Sequence, residues 1–122
     1  MKFEDKNYWK SLINMAVIKF LILHCLRQSP THGYDLLNKV NEFTSGCCSP
    51  TYGSIYPILK EFCDEGYAVI KEERVNNRQR KVYYLTSRGQ NAYYQAVDAW
   101  EDILPYLNKI SDEITLEKER KR

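Results

Sequence analysis

Apolar positions change period along this chain. Between residues 9 and 27, Leu12, Ala16, Phe20, Leu23 and Leu26 share one helical face, and Ile13, Val17, Ile18 and Ile22 fill others. That spacing predicts a helix apolar on most sides, buried in a core or a subunit interface. Ser29-Pro30-Thr31 ends it, and Thr31 or Ser29 caps a second helix. Tyr34, Leu36, Leu37 and Val40 give this helix an apolar face through about Phe43, before Thr44-Ser45-Gly46 breaks it. A third helix follows, with Ser49 as its cap, Pro50 at its first position, and Ile55, Leu59 and Phe62 at i, i+4 and i+7. Gly66 stops it. The period then shortens: Tyr67, Val69 and Lys71 to Arg74 read as one strand and Lys81 to Leu85 as another, turned at Asn76-Asn77. Thr86 begins a final helix. The expected fold is mainly α with a small β-hairpin: a winged helix-turn-helix over residues 1–86, then a C-terminal dimerisation helix over 87–122, forming one compact unit with the first helix.

The third helix contains residues that disfavour helices. In the interior, Gly costs about 1 kcal/mol and Pro about 3 kcal/mol relative to Ala, yet Pro50, Gly53 and Pro57 all lie in or beside its first two turns. A helix whose N-terminal turns face a DNA groove explains this. Gly53 lets backbone approach a phosphate or base edge. Thr51 and Ser54 are short donors and acceptors, and the helix N-terminus favours a phosphate. Tyr52 and Tyr56 can set hydroxyls on phosphates while their rings pack on the domain. Pro57 predicts a kink that frees the Gly53 carbonyl. The hairpin agrees: from Arg74 to Lys81 there are Arg74, Arg78, Arg80 and Lys81 and no acid, which suits a phosphate backbone or a minor groove. The plainer readings are a capped core helix and a solvated turn.

In the last helix Tyr93, Val97, Trp100, Leu104, Leu107 and Ile114 form a heptad seam missing only the polar Ser111. A second subunit or the first helix would bury it; folding back onto its own domain is the other outcome. Pro105 predicts a kink that moves Leu104 off helical geometry. Trp100 is by default a packing anchor. If two seams splay, paired Trp100 rings would accept a flat aromatic or a cation, with Asp98, Glu101 and Asp102 nearby.

Composition narrows the function. At 122 residues the chain is one domain, short for a self-contained enzyme. A net charge of +2 makes any basic surface local. His24 and His32 have no neighbouring nucleophile pattern, and no Gly-rich phosphate loop or metal-ligand spacing occurs, so no catalytic site, metal or cofactor is expected. Of four cysteines, Cys25 and Cys63 sit among apolar helix residues as small hydrophobes. Cys47-Cys48 lies in a loop, where an ordinary structural role outweighs metal binding or oxidant sensing. Asn14, Lys19 and His24 interrupt the apolar run from Leu12 to Leu26, so no membrane span is expected. No signal peptide is visible, and a cytoplasmic location is expected.

These residues resemble the PadR-like transcriptional regulators. The matching pieces are Pro30-x-His32-Gly33-Tyr34-x-Leu36, Ser49-x-x-x-Gly53-x-Ile55-Tyr56-Pro57-x-Leu59-Lys60, Glu65-Gly66-Tyr67, Arg80-Lys81-x-Tyr83-Tyr84-Leu85-Thr86 and Gly89, in order over roughly residues 12–110. The resemblance implies a homodimeric winged-helix repressor that responds to a small molecule, and the single C-terminal segment looks like the short subtype with multidrug-responsive members. On the matching pieces, His32, Tyr34 and Lys60 join the expected DNA-facing residues. Two places depart from the family: Val75-Asn76-Asn77-Arg78-Gln79 replaces a Gly- and Pro-containing wing tip, and Gly46-Cys47-Cys48-Ser49 stands where an aromatic is usual. A dimer of this kind expects a pseudo-palindromic operator in double-stranded DNA, its half-sites about one helical turn apart. The competing function is a winged helix serving as a protein–protein module, which would show no salt-dependent duplex binding.

Overall fold

The computed structural model describes residues 1–122. A single 3-10 turn at Lys2–Glu4 leads into helix α1, Lys6–Gln28, capped by the Asp5 carboxylate on the Asn7 N–H. Only the C-terminal half of α1 lies in the core, where Leu21, Ile22, Leu23, Cys25 and Leu26 are buried. Trp9, Leu12, Ile13 and Met15 in its first half are exposed, so the broadly apolar helix is not buried on most sides within one chain. By length and composition α1 is apolar enough to cross a membrane, but its last turns here pack against the other elements.

The residues after α1 differ from the sequence reading. Thr31–His32 form a short strand, β1, and helix α2 spans Gly33–Phe43, with His32 at its cap position and no side-chain capping bond. Neither Thr31 nor Ser29 caps α2. The Thr31 hydroxyl instead donates to the Ser29 carbonyl and accepts from Lys39 Nζ. Helix α3, Tyr52–Asp64, starts later than Ser49 and Pro50 suggest: Thr51 is its cap, and Thr51 and Ser54 bond each other's backbone N–H reciprocally. Pro50 lies outside the helix. Ile55, Leu59 and Phe62 are buried as their spacing requires, and Gly66 leaves the helix with a left-handed φ of +85°.

Strands β2, Ala68–Val75, and β3, Arg78–Leu85, pair antiparallel around Asn76 and Asn77, whose φ values of 53° and 64° are those of a tight two-residue hairpin turn. Strand β2 lies one residue later than the residue pattern indicates, and β3 starts three residues earlier, at Arg78 instead of Lys81. The hairpin is also part of a three-stranded sheet, because β1 adds to β3 with His32 opposite Val82.

Helix α4, Ser87–Arg120, is capped by the Thr86 hydroxyl on the Gly89 N–H. It continues as one helix through Pro105, so Leu104 keeps helical geometry. The missing N–H at Pro105 frees only the carbonyl of Glu101, which lies where water reaches it. Tyr93 belongs to the core, joined by Ala92 and Val97 at its edge. Phe20 of α1 stacks on Tyr93 at 5.6 Å and on Trp100 at 6.2 Å. His24 Nδ1 lies 2.8 Å from the Tyr93 hydroxyl, and the Arg27 guanidinium covers the Tyr93 and Tyr94 rings. The start of the heptad seam therefore packs on α1 of its own chain. Leu104, Leu107 and Ile114 remain 43–48% exposed.

Candidate nucleic-acid interface

One surface gathers most of the residues that the sequence assigns to DNA. The β1–β3 pairing brings His32 beside the wing, and α3 leans on the start of α2. His32, Tyr34, Tyr52, Tyr56, Arg80 and Lys81 consequently line one depression of about 190 Å³. Tyr34 and Tyr52 stack face to face at 4.5 Å with an interplanar angle of 4°, and Tyr56 continues the row at 5.6 Å from Tyr52. Tyr34 is an exposed ring on the stack, outside the buried face of α2. Tyr56 is half exposed and its hydroxyl has no partner in the chain. Desolvation, reinforced by Tyr34 and Tyr56, pushes the Tyr52 phenol up from its ordinary range.

Tyr83 forms the floor of this depression, although the sequence places it only among the family-matching residues and not among the DNA-facing ones. Burial pushes its phenol up to about 12. The alternation of a strand places Lys81, Tyr83 and Leu85 on one face, so the residue two positions after a rim lysine is the one to look for beneath it.

The cap residues act on the helix itself. Thr51 Oγ1 accepts from the Ser54 N–H at 3.2 Å, and Ser54 Oγ donates to the Thr51 carbonyl at 2.8 Å. These hydroxyls hold the N-terminal turn in shape and are not free donors toward a partner. Gly53, between them, is exposed. Its φ is not left-handed, and a Cβ there would meet only Thr51 Oγ1, at 3.9 Å. Nothing within the chain requires glycine at this position.

The charges are favourable but unequal. The first turn of α3 has no acid. The two strands carry five basic residues against Glu72 and Glu73, which lie opposite Lys81 and Arg80. Glu73 accepts a hydrogen bond from the Tyr84 hydroxyl, and none of Arg74, Arg78, Arg80 or Lys81 forms an ion pair in the chain. Lys60 is paired with Asp64 at 2.7 Å, an exposed i,i+4 contact that contributes little stability. His32 Nε2 lies 3.1 Å from Asp35.

A second feature lies where α1, α4 and the loop between α2 and α3 meet. Val17, Phe20, Trp100, Leu104, Cys47 and Cys48 line an apolar groove of about 330 Å³. Asp98, Glu101 and Asp102 are exposed and do not line it.

Comparison with known proteins gives a consistent picture. Residues 22–95 match the Transcriptional regulator PadR-like family. The chain is 32% identical over 77 residues to the negative transcriptional regulator PadR of Bacillus subtilis, covering 62% of this chain and 42% of that protein. It thus spans less than half the length of that curated relative. A transcriptional regulator from Clostridium thermocellum has the same fold, with a TM-score of 0.71 at 20% identity over 80% of this chain and 95% of the other. Bacillus subtilis PadR in complex with operator DNA aligns with a TM-score of 0.59 at 29% identity, covering 66% of this chain and 47% of that one.

Proposed function

The chain belongs to the PadR-like family of transcriptional regulators, and on that premise we propose that it is a homodimeric repressor that binds a pseudo-palindromic operator and is released by a small aromatic ligand near Trp100. Its relatives include a negative regulator and a protein bound to operator DNA. The observation that carries the DNA reading is Gly53: an exposed glycine on the first turn of α3, unexplained by the chain's own packing, in the same helix as Tyr52 and Tyr56, which line the depression with Arg80 and Lys81 of the wing. The uncapped N-terminus of α2 opens on the same depression, where Asp35 of its first turn sits 3.1 Å from His32.

Binding should weaken steeply with added salt, read by fluorescence anisotropy on a duplex from upstream of its own gene. A duplex affinity of zero at low salt would leave the protein–protein module as the reading. Replacing Arg78 and Arg80 with Ala should lower affinity for all sequences alike and shallow the salt slope by roughly one unit per lost phosphate contact. Relaxed discrimination at one base pair would instead make the wing tip a sequence reader. Tyr56→Phe removes only a hydroxyl without a partner in the chain, so thermal stability should hold while operator affinity drops several-fold. Equal affinity would turn that hydroxyl away from DNA.

Dimerisation is supported by the apolar surface left open within one chain: Trp9, Leu12, Ile13 and Met15 on α1, and Leu104, Leu107, Ile110, Ile114 and Leu116 on α4. Two such faces can cover one another across a two-fold axis. The Tyr93 and Val97 end of the seam steadies α4 on its own domain, and the later positions meet the partner. In this arrangement a ligand wedged beside Trp100 releases DNA by favouring a dimer with the wrong half-site spacing. Trp100→Ala should abolish most ligand-induced quenching of tryptophan fluorescence and blunt induction, while repression largely survives. Undiminished quenching, then reported by Trp9, would move the ligand elsewhere, and a monomeric variant would make Trp100 a packing anchor.

A further inference from the structure

The groove beside Trp100 contains a chemical handle that reversible ligand binding does not use. Cys47 and Cys48 both lie on its wall, facing Val17, Phe20, Trp100 and Leu104. The two thiols differ. Cys47 is exposed, whereas Cys48 is 4% exposed and its thiol has no hydrogen-bond partner in the chain. Burial also pushes the Cys48 thiol up, which keeps it protonated. The groove thus combines an accessible nucleophile, an unpartnered buried thiol and aromatic rings able to hold a flat apolar molecule.

The loop carrying these cysteines leads directly to α3. Thr44 Oγ1 accepts from the Cys48 N–H at 2.9 Å and lies 3.2 Å from the Cys48 carbonyl. Three residues later Thr51 caps α3, and Cys48, Ser49, Pro50 and Ser54 line a small cavity of about 140 Å³ whose other wall is Asn14, Met15 and Ile18 of α1. A group inserted between Cys47 and Trp100 pushes on a clamped loop whose other end fixes the first turn of α3.

We propose that Cys47 is a covalent sensing site for apolar α,β-unsaturated carbonyl compounds, with the groove holding the hydrophobic part of the molecule. In the reaction the Cys47 thiolate forms a bond to the β-carbon, the C=C π pair moves onto the carbonyl as an enolate, and the enolate takes a proton at the α-carbon, replacing the one that the thiol gave to water. Nothing is oxidised or reduced and no group leaves. The adduct then shifts the Thr44–Pro50 loop and with it the start of α3. This regulatory half rests on the DNA-binding reading; the adduct chemistry does not.

The test treats the full chain with phenyl vinyl ketone and, separately, with acrylamide, which has no apolar group to seat. Peptide mass mapping reads which thiol reacts and how fast, and glutathione gives the rate ratio of an unguided thiol. One adduct per chain is expected at Cys47, with a ketone-to-acrylamide rate ratio at least about tenfold above that of glutathione. Modified protein should lose about tenfold in affinity for the promoter fragment that the untreated protein retains, and Cys47→Ser, equally treated, should keep it. A ratio equal to that of glutathione, or faster reaction at Cys25 or Cys63, overturns the site. Unchanged DNA affinity of the adduct overturns the regulation. Failure of untreated protein to bind any duplex sinks the DNA reading and the regulatory half, while the rate ratio still decides the site.

Discussion

Gly53→Ala is expected to leave the fold intact, or slightly more stable, and to weaken operator binding by about ten- to a hundredfold. The stability term comes from backbone entropy: Ala is favoured over Gly in a helix by up to about 1 kcal/mol, less in a first turn. No contact opposes it, since the new Cβ would meet only Thr51 Oγ1 at 3.9 Å. The affinity term comes from the space outside the chain. Gly53 sits at the second position of α3, beside N–H groups that lack helical partners, where a phosphate can approach. A methyl group holds that phosphate off, and a hydrogen bond to a charged group contributes about 1.5–3 kcal/mol, which gives the expected range. Denaturant unfolding and anisotropy on one protein preparation measure both quantities. An unchanged dissociation constant would mean that this turn does not face DNA, and the glycine would then have no account.

What the sequence makes legible depends on how local the determining contacts are. Ile55, Leu59 and Phe62 identify themselves because a helix repeats every 3.6 residues and all three meet one core. Asn76-Asn77 declares its turn because both residues must take positive φ, which Asn tolerates. Thr86 is legible for a similar reason, as a hydroxyl directly before a long periodic segment. Two alternatives of equal local merit defeat the same logic at α3. Ser49 followed by Pro50 and Thr51 followed by Ser54 both resemble helix starts, and the second prevails because Thr51 and Ser54 satisfy each other's N–H groups. Strand β1 is two residues long and has meaning only against Val82 and Tyr83, some fifty positions away. The cleft that joins His32 to Arg80 and Lys81 rests on that pairing, so the candidate residues are readable one by one while their convergence is not. At Pro105 the local rule takes Leu104 out of helical geometry, yet the helix runs on through both residues, and the Glu101 carbonyl that loses its partner belongs to an exposed residue where water can satisfy it.

Gly89→Ala should do the opposite of Gly53→Ala. Gly89 lies at the third position of α4 and gains the same propensity term from a methyl group. Its surroundings differ. A Cβ at Gly89 would fall 2.1 Å from the Tyr67 carbonyl oxygen and 2.5 Å from Leu85 Cδ1. The carbonyl cannot move aside cheaply, because it accepts from the Thr86 N–H at 3.2 Å and so fixes the junction between hairpin and helix. Relief would require α4 to lift from the sheet, which strains the Thr86 cap and the stack of Tyr93 on Phe20. Overpacking of this kind costs about 2–3 kcal/mol, and for a chain of this size the melting temperature should fall by roughly 10 °C. Thermal unfolding by circular dichroism measures it, and a shift within about 2 °C would mean that the helix start adjusts without cost. Operator affinity above the melting range would be lost with the fold, but at low temperature the weakening should be modest, because Gly89 lies between hairpin and α4, away from the depression lined by Tyr34, Tyr52 and Tyr56. The two glycines therefore control for each other: both occupy first helical turns and share one backbone term, so any difference between the variants in stability and in DNA affinity comes from what lies beyond the missing Cβ, which is protein at Gly89 and, on the proposed function, nucleic acid at Gly53.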